Sequence, residues 1–414
     1  MSSVERPARV PRTMEGGDLA PWVAAFASEL GALSHTPLTI GGYTDCARHF
    51  AAWLAFNNIG LDEVSDESLN LFGKHRCRCG GYRRAMPPSG NYLSRVHRFI
   101  VFLAGRGVIA PLGEPVANPI DPLVEDYQAW LTRHRGICAL TAKRHGRMVM
   151  RLLPALGGEP QAYDAGTIRT AILREAQRCL PAYTKTMTTA LRGYLRFLAA
   201  IGLCRPGLEH AVPLIPHWRL SALPRYLSPD QVERLIASCD VRTGRGVRDR
   251  AILLLLARLG LRAGDILEMR FGDIDWSSGT LRVKGKGRRE TRLPMPQDAG
   301  DAVLGYLDGV RPSTHCSRLF VRSIAPFDPF ASSSTVSNIV ALALKRAGID
   351  NPPSRGANLL RHSAATHMLR GGATLHSVGA VLRHRSLETT TLYAKVDLNM
   401  LARVAQPWPG DATC

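Results

Sequence analysis

The sequence predicts a mainly helical protein with helical N-terminal domains and one small antiparallel β-sheet in its C-terminal domain. Two observations lead to this fold class. Apolar residues recur at helical spacing through most of the 414 residues. A single stretch, residues 279–296, alternates like two strands joined at a Gly-Lys-Gly turn. Because the chain is too long for one ordinary core, we expect two or three domains.

The N-terminal part divides where the pattern of apolar residues changes. Residues 1–18 combine proline, glycine and charge without an apolar period, which predicts a disordered N-terminus. Residues 19–110 have helical periodicity, and Tyr43, Phe50 and Trp53 share one predicted face. We therefore predict a helical N-terminal domain with Trp53 in its core.

A proline-rich stretch, residues 111–122, predicts a linker to a second helical domain, residues 123–219. The segments "LVEDYQAWL" and "LRGYLRFLAAIGL" are its clearest helices, and Trp130 is expected in its core. A third domain, residues 220–410, follows another proline-punctuated joint. Its first helix is predicted to begin at Ser228, where Ser, Pro and Gln form a capping box.

Within the third domain, "RDRAILLLLARLGLRAGDILEMR" predicts two helices around a Gly-Leu turn. The two strands come next, and helical periodicity then resumes toward the end of the chain. This order gives a mainly helical α+β domain.

Charge identifies the class of partner. The chain has 53 Lys and Arg against 34 Asp and Glu, a formal net charge of +19. Between Leu131 and Arg225 there are 15 basic and 4 acidic residues, so more than half of the excess lies in the second helical domain. Such one-sided charge favours a nucleic acid as the partner. An anionic membrane is less favoured, because no long basic amphipathic helix is evident.

The same composition predicts a cytoplasmic protein. The first residues lack the apolar stretch of a signal peptide, and the longest apolar run, "AILLLLA", is too short to cross a bilayer. Nine cysteines are scattered without the spacing of a disulfide framework, which is typical of reduced thiols in a cytosol.

Four segments carry residues suited to phosphate chemistry. Each has an ordinary structural explanation alone: a helix cap, a basic β-turn, a surface arginine or a core tyrosine. The segments and their residues are "GLRAGDIL" with Arg262 and Asp265, "VKGKGRRE" with Lys286, "NLLRHSAATHML" with Asn358 and Arg361, and "LRHRSLETTTLYAKV" with His384 and Tyr393.

Together, in this order, the four segments resemble the tyrosine recombinase (phage integrase) family over residues 227–404. The family's C-terminal signature is an arginine on a helix, then Leu-x-His, then a tyrosine nine residues later. Tyr393 follows His384 by nine residues, and 23 residues separate His384 from Arg361. The resemblance implies a site-specific DNA recombinase or integrase that cleaves and rejoins DNA through a 3′-phosphotyrosine intermediate, without ATP or a metal cofactor.

The resemblance also implies a role for each residue. Arg262 and Arg361 would present planar forks of donors to the non-bridging oxygens of the scissile phosphate. Lys286 would protonate the leaving 5′ oxygen as a general acid. His384 would hydrogen-bond the phosphate or assist proton movement, and Tyr393 would be the nucleophile.

Two further positions complete the predicted site. Asp265 fits the family's acidic residue after the first arginine, where we expect it to brace the arginines. Asn358 stands where the family usually has histidine. An asparagine can donate a hydrogen bond to the phosphate but cannot accept the tyrosine's proton, so the assignment of a general base is weakened.

The resemblance implies how the domains act. The second helical domain and the catalytic domain would close as a clamp on double-stranded DNA, and four protomers would act on two synapsed sites. The N-terminal domain would bind separate arm sites, replicate the clamp or contact another protomer. In the tail, Leu398, Leu401 and Val404 share a helical face that would dock on a neighbouring subunit. A bacterial mobile element or prophage, with accessory DNA-bending or sister recombinase proteins, is the expected setting.

Alternatives remain at the level of sequence. A type IB-like topoisomerase shares the chemistry but acts as a monomer on unspecific DNA, and a DNA-binding regulator would keep the fold with a decayed site. The motif "HRCRCGGYRR" offers His75, Cys77 and Cys79 to zinc. Its Cys-x-Cys spacing is unusual and no second cysteine pair follows, which favours a basic DNA-contacting loop.

Overall fold

The computed structural model describes residues 19–76, 88–110, 121–216, 223–284, 290–384 and 386–396. The chain divides into two compact units, one within Phe50–Arg219 and the other comprising Leu220–Cys414 and Glu15–His49. Helices dominate both, and the second unit holds a three-stranded antiparallel sheet. The predicted fold class is confirmed. The predicted linker lies outside the described residues except for Asp121 and Pro122, so the domain boundaries stay predictions.

Four helices come first in the chain: α1 (Ala20–Ala32), α2 (Pro37–Phe56), α3 (Asp66–Lys74) and α4 (Gly90–Gly105). The hydroxyls of Ser65 and Ser89 accept backbone N–H groups at the starts of α3 and α4, as N-caps do. Trp53 is buried with its ring edge-on to Phe72 at a centroid distance of 5.4 Å, which confirms it as core.

The second helical block contains α5 (Pro122–Arg135), α6 (Ala139–Leu156), α7 (Ala165–Ala176) and α8 (Pro181–Ala200). Tyr127 and Tyr194 lie at its centre, and the Tyr127 hydroxyl donates to the Ala190 carbonyl at 2.9 Å. The expectation that Trp130 is core needs correction. It is only partly buried and packs on the edge of this core beside Phe197.

The C-terminal unit begins with α9 (Pro229–Ala237), α10 (Gly244–Leu259) and α11 (Ala263–Glu268). The predicted capping box starts α9: the Ser228 hydroxyl accepts from the Gln231 N–H, and the Gln231 side chain accepts from the Ser228 N–H. Gly260 ends α10 in the left-handed region with φ of +58°. A Cβ there would lie 2.6 Å from Leu382 Cδ2, so glycine also permits the close approach of these two segments.

The sheet has the order β1 (Ile274–Asp275), β2 (Thr280–Lys284) and β3 (Glu290–Pro294), with Leu281 opposite Leu293 and Lys284 opposite Glu290. The strands β2 and β3 are the two predicted ones. The sequence did not predict β1, because two residues are too few to display an alternating pattern.

The last helices are α12 (Gln297–Gly309), α13 (Ser333–Arg346), α14 (Asn358–Arg370) and α15 (Leu375–Val381). Two 3₁₀ segments, Leu387–Thr389 and Thr391–Val396, follow them. The apolar core of the unit surrounds α10, which is buried along most of its length. In the described ranges, every helix is too short or too polar to traverse a bilayer.

Candidate active site

The turn after α10 and the start of α11 fix Arg262. Its backbone N–H donates to the Asp265 carboxylate at 2.7 Å, which caps α11. Its Nη2 reaches the backbone carbonyls of Leu382 and Arg383, at 3.5 and 3.3 Å. Arg262 therefore lies against the turn that precedes the predicted His384.

Arg361 reaches the same turn from α14. Its side chain is buried, with the residue 6% exposed. Its Nη1 donates to the Gly260 carbonyl at 2.5 Å, and its Nη2 donates to the Leu382 carbonyl. Burial, together with the neighbouring charges of Arg262 and Arg383, lowers the pKa of Arg361 to about 10. Two predicted site residues that are 99 positions apart thus converge on one backbone segment.

A third guanidinium, that of Arg383, was not predicted. Its Nη2 donates to the Asp265 carboxylate at 2.5 Å, and the two side chains are 5% and 8% exposed. Its Nε and Nη1 atoms are buried with no hydrogen-bond partner among the described residues. Asp265 thus contacts Arg383 and the backbone of Arg262, and the expectation that it braces the arginines stays a prediction.

Arg383 also occupies an unusual backbone position. Its φ is +57°, a left-handed conformation that non-glycine residues adopt uncommonly. The Leu-x-His pattern treats this position as variable, so it drew no attention to Arg383. A signal was available all the same, since an arginine directly before the predicted His384 adds charge beside a phosphate site.

The predicted tyrosine is deeply placed. Tyr393, in the segment Thr391–Val396, is only 2% exposed. Its ring belongs to an apolar cluster whose other buried members are Ala365, Leu369, Val378 and Leu382. Burial raises the pKa of Tyr393 above its ordinary value, while the charge of Arg361 opposes that shift.

Two histidines flank this tyrosine. The Tyr393 hydroxyl lies 2.8 Å from His362 Nδ1, a contact that the sequence did not predict. The ring of His384 is parallel to the Tyr393 ring, at a centroid distance of 6.5 Å. His384 Nδ1 lies 2.8 Å from the Thr390 hydroxyl, and the Tyr393 N–H donates to the Thr390 carbonyl at 2.9 Å. The threonine run therefore holds the tyrosine segment and His384 together.

Of the two remaining predicted residues, Asn358 and Lys286, the structure describes only Asn358. Asn358 is the first residue of α14 and is exposed. Lys286 lies outside the described residues. The flanking strand ends, Lys284 and Glu290, are exposed and form an ion pair at 3.8 Å.

The charges of this arrangement suit an anion. Among the described residues, the guanidiniums of Arg262, Arg361 and Arg383 lie near the carboxylate of Asp265. Such a site is short of negative charge, and arginine forks match the geometry of phosphate oxygens. In the ranges that the structure describes, no group of three or more His, Cys, Asp or Glu residues is arranged to hold a metal ion.

Comparison with known proteins assigns the family. A protein of Sinorhizobium fredii named integrase/recombinase y4rA is 35% identical over 403 residues, which cover 96% of this chain and 96% of that protein. The chain belongs to the phage integrase family. The family's own sequence profile matches residues 225–400 of this recombinase. The family prediction made from the sequence is confirmed, and the protein is a tyrosine recombinase, an enzyme that cleaves and rejoins DNA.

Other proteins similar to this chain are also recombinases. The tyrosine recombinase XerD of Listeria monocytogenes is 26% identical over 287 residues, 67% of this recombinase and 95% of XerD. A crystal structure of the XerH site-specific recombinase, bound to a palindromic difH substrate after cleavage, matches with a TM-score of 0.55 and 14% identity. That match covers 86% of this chain and 95% of XerH, and it shows a shared fold.

Proposed function

We propose that the recombinase cleaves double-stranded DNA at specific sites with Tyr393 as its nucleophile. The phenol oxygen attacks a backbone phosphate, forms a 3′-phosphotyrosine and releases a 5′-hydroxyl, which rejoins the strand in the reverse step. The observation that carries this proposal is the convergence of Arg262 and Arg361 on the turn beside the segment that holds Tyr393.

The arginines are proposed to stabilise the negative charge that develops on the non-bridging oxygens. A guanidinium has five N–H donors, and backbone carbonyls accept one bond from each Nη of Arg361. The remaining donors are proposed to bind the phosphate oxygens. A preorganised donor of this kind contributes on the order of 3 kcal/mol to transition-state stability. Lys286 is proposed as the general acid, with His384 and Asn358 as hydrogen-bond donors to the phosphate.

Duplex DNA is the proposed partner. The XerH structure was solved on its DNA substrate, and the basic excess of residues 131–225 matches a phosphate backbone. Residues 123–219 are proposed as the core DNA-binding domain and residues 220–410 as the catalytic domain. Residues 19–110 would form the additional N-terminal domain.

The proposal extends to the assembly of the recombinase and to its biological setting. A homotetramer on two synapsed sites would exchange the strands, assisted by accessory DNA-bending or sister recombinase proteins. A mobile element or prophage is the proposed origin, in keeping with the name integrase/recombinase that the Sinorhizobium relative bears. The enzyme would act in the bacterial cytoplasm, on the nucleoid.

Covalent capture in cells tests the proposal. Wild type, Tyr393→Phe and the control Tyr183→Phe are expressed, the cells are lysed in detergent, and the protein-linked DNA is sequenced. Tyr183 is a partly exposed tyrosine on α8 whose ring faces Arg151. We expect adducts at a few defined sites with wild type and Tyr183→Phe, and none with Tyr393→Phe.

The other outcomes contradict the proposal in distinct ways. Adducts distributed over the whole genome would indicate a topoisomerase. Tight binding to specific DNA without any adduct would indicate a regulator with a decayed site. Adducts that persist in Tyr393→Phe would assign the nucleophile to another residue.

A further inference from the structure

The hydrogen bond between His362 and Tyr393 bears on a gap in the proposed mechanism. A phenol must lose its proton when it attacks phosphorus, and the family's usual histidine is replaced by Asn358. Asparagine cannot accept that proton. In addition, Asn358 is exposed at the first position of α14, whereas Tyr393 is buried. The proton acceptor must therefore be sought elsewhere.

His362 meets the geometric requirement. Its Nδ1 lies 2.8 Å from the Tyr393 hydroxyl, within the distance of direct proton transfer. It directly follows Arg361 on α14, so the helix that carries the phosphate-binding guanidinium also carries this imidazole. His384 also flanks the tyrosine, but its Nδ1 faces the Thr390 hydroxyl and its ring is parallel to the Tyr393 ring.

We propose that His362 is the general base for Tyr393, an inference that rests on the proposed function. The Oη–H bond breaks as its proton passes to His362 Nδ1, and the Oη–P bond forms as the P–O5′ bond breaks. The leaving 5′ oxygen takes a proton from the general acid, for which Lys286 is proposed. In rejoining, the 5′-hydroxyl returns its proton to Lys286, and the His362 imidazolium returns its proton to the tyrosine oxygen.

The electrostatic surroundings keep His362 in its accepting form. Burial and the adjacent charge of Arg361 lower the pKa of His362 from its ordinary value, so the imidazole is neutral at pH 7. The titratable and charged groups that face it are Arg361 on its own helix and Tyr393 from the C-terminal segment, and the His384 ring lies parallel to that of Tyr393. With Nδ1 as acceptor, the ring carries its hydrogen on Nε2.

Single-turnover cleavage tests the assignment on a duplex of the sequence recovered by covalent capture. The bridging 5′ oxygen of its scissile phosphate is replaced by sulfur, because a thiolate leaves without needing a proton. Loss of the general acid Lys286 is then tolerated, whereas loss of the base is not. We compare wild type with His362→Asn, Lys286→Ala and the control His376→Asn. His376 is an exposed histidine on α15.

On the sulfur substrate at pH 7 we expect His362→Asn to be slower by on the order of 100-fold, a typical loss for a general base. Lys286→Ala and His376→Asn should cleave near the wild-type rate. The wild-type rate should be level through neutral pH and fall as the pH drops through the lowered pKa of His362. In His362→Asn, the rate should instead rise about tenfold per pH unit between pH 6 and 8, because only ionised tyrosine attacks.

Several results would overturn the assignment. Wild-type speed in His362→Asn, with adducts still formed by wild type, would reject His362 as the base and leave the proposed function intact. Absence of adducts from wild type would reject the proposed function itself. If His362→Asn fails to fold, the pH dependence of the wild-type cleavage rate decides. A wild-type rate that rises tenfold per pH unit through neutral pH is incompatible with a neutral histidine base.

Discussion

At the scale of single residues, the site concentrates positive charge where water has little access to it. Arg361 and Arg383 are both buried, and the carboxylate of Asp265 pairs directly with Arg383. Burial, together with the neighbouring positive charges, lowers the pKa of Arg361. Because a buried charge without its counterion is costly, Asp265 should be as important for folding as for the proposed phosphate site.

Asp265→Asn should lower the free energy of unfolding by about 3–5 kcal/mol, because it leaves Arg383 buried without a counterion. Asparagine retains an oxygen that can accept from the Arg262 N–H, so the helix cap is largely preserved. Denaturant unfolding measures the change. As a control, Asp240→Asn breaks an exposed pair with Arg242 and should cost less than about 1 kcal/mol. Equal losses in the two variants would refute this view of Asp265.

The residue scale also marks the limit of what the sequence could predict. Arg262, Arg361, His384 and Tyr393 were found because their spacing matches a family signature. The signature leaves His362 and Arg383 unmarked, and their importance depends on contacts with Tyr393 and Asp265, which are 31 and 118 residues distant. Pattern and spacing carry no information on such contacts.

At the scale of elements, α14 connects the site with the point at which the chain enters the C-terminal unit. The Ser363 hydroxyl accepts the Leu227 N–H at 2.9 Å, and His367 Nε2 lies 2.9 Å from the Leu227 carbonyl. Further along the helix, Arg370 donates to the Tyr226 hydroxyl at 2.6 Å. The helix that carries Arg361 therefore also anchors the segment that leads in from the second helical block.

Ser363→Ala should destabilise the protein by about 1–3 kcal/mol, because the buried Leu227 N–H would lose its acceptor. Thermal or urea unfolding would show the loss. The matched control is Ser377→Ala on α15, where the hydroxyl is exposed and bonds only locally with Thr374. If the two alanine variants unfold at the same denaturant concentration, the anchoring of Leu227 contributes nothing to stability.

Elements were more predictable than their packing. The capping box of α9, the Gly260 turn and the strands β2 and β3 follow from local rules of backbone conformation, so the sequence was sufficient for them. Trp130 shows the opposite case. Its helical position was correctly recognised, but how far its large ring is covered depends on neighbouring helices that periodicity does not describe.

At the scale of the whole molecule, the net charge of +19 and its concentration in residues 131–225 give the chain a strong attraction to DNA in general. Charge alone does not align two DNA sites or couple the four active sites of the proposed tetramer. We therefore expect assembly to depend on contacts between protomers, for which the tail is the predicted element.

Deletion of the residues after Val396 should abolish the pairing of two DNA sites while single-site binding persists. The deleted tail includes Leu398, Leu401 and Val404, which lie outside the described residues and share a predicted helical face. Native gels with one and two labelled duplexes separate the two activities. A full-length variant with alanine at those three positions controls for the change in length and should behave like the truncation. Normal pairing by both variants would show that the tail is dispensable for assembly.

The most direct test of the central claim is to identify the amino acid that becomes linked to DNA. The captured adducts are digested with nuclease and protease, and the peptide that retains a nucleotide is sequenced by mass spectrometry. We predict a nucleotide attached through its 3′ phosphate to Tyr393. A nucleotide on another residue, or attachment through a 5′ phosphate, would contradict the mechanism proposed for this recombinase.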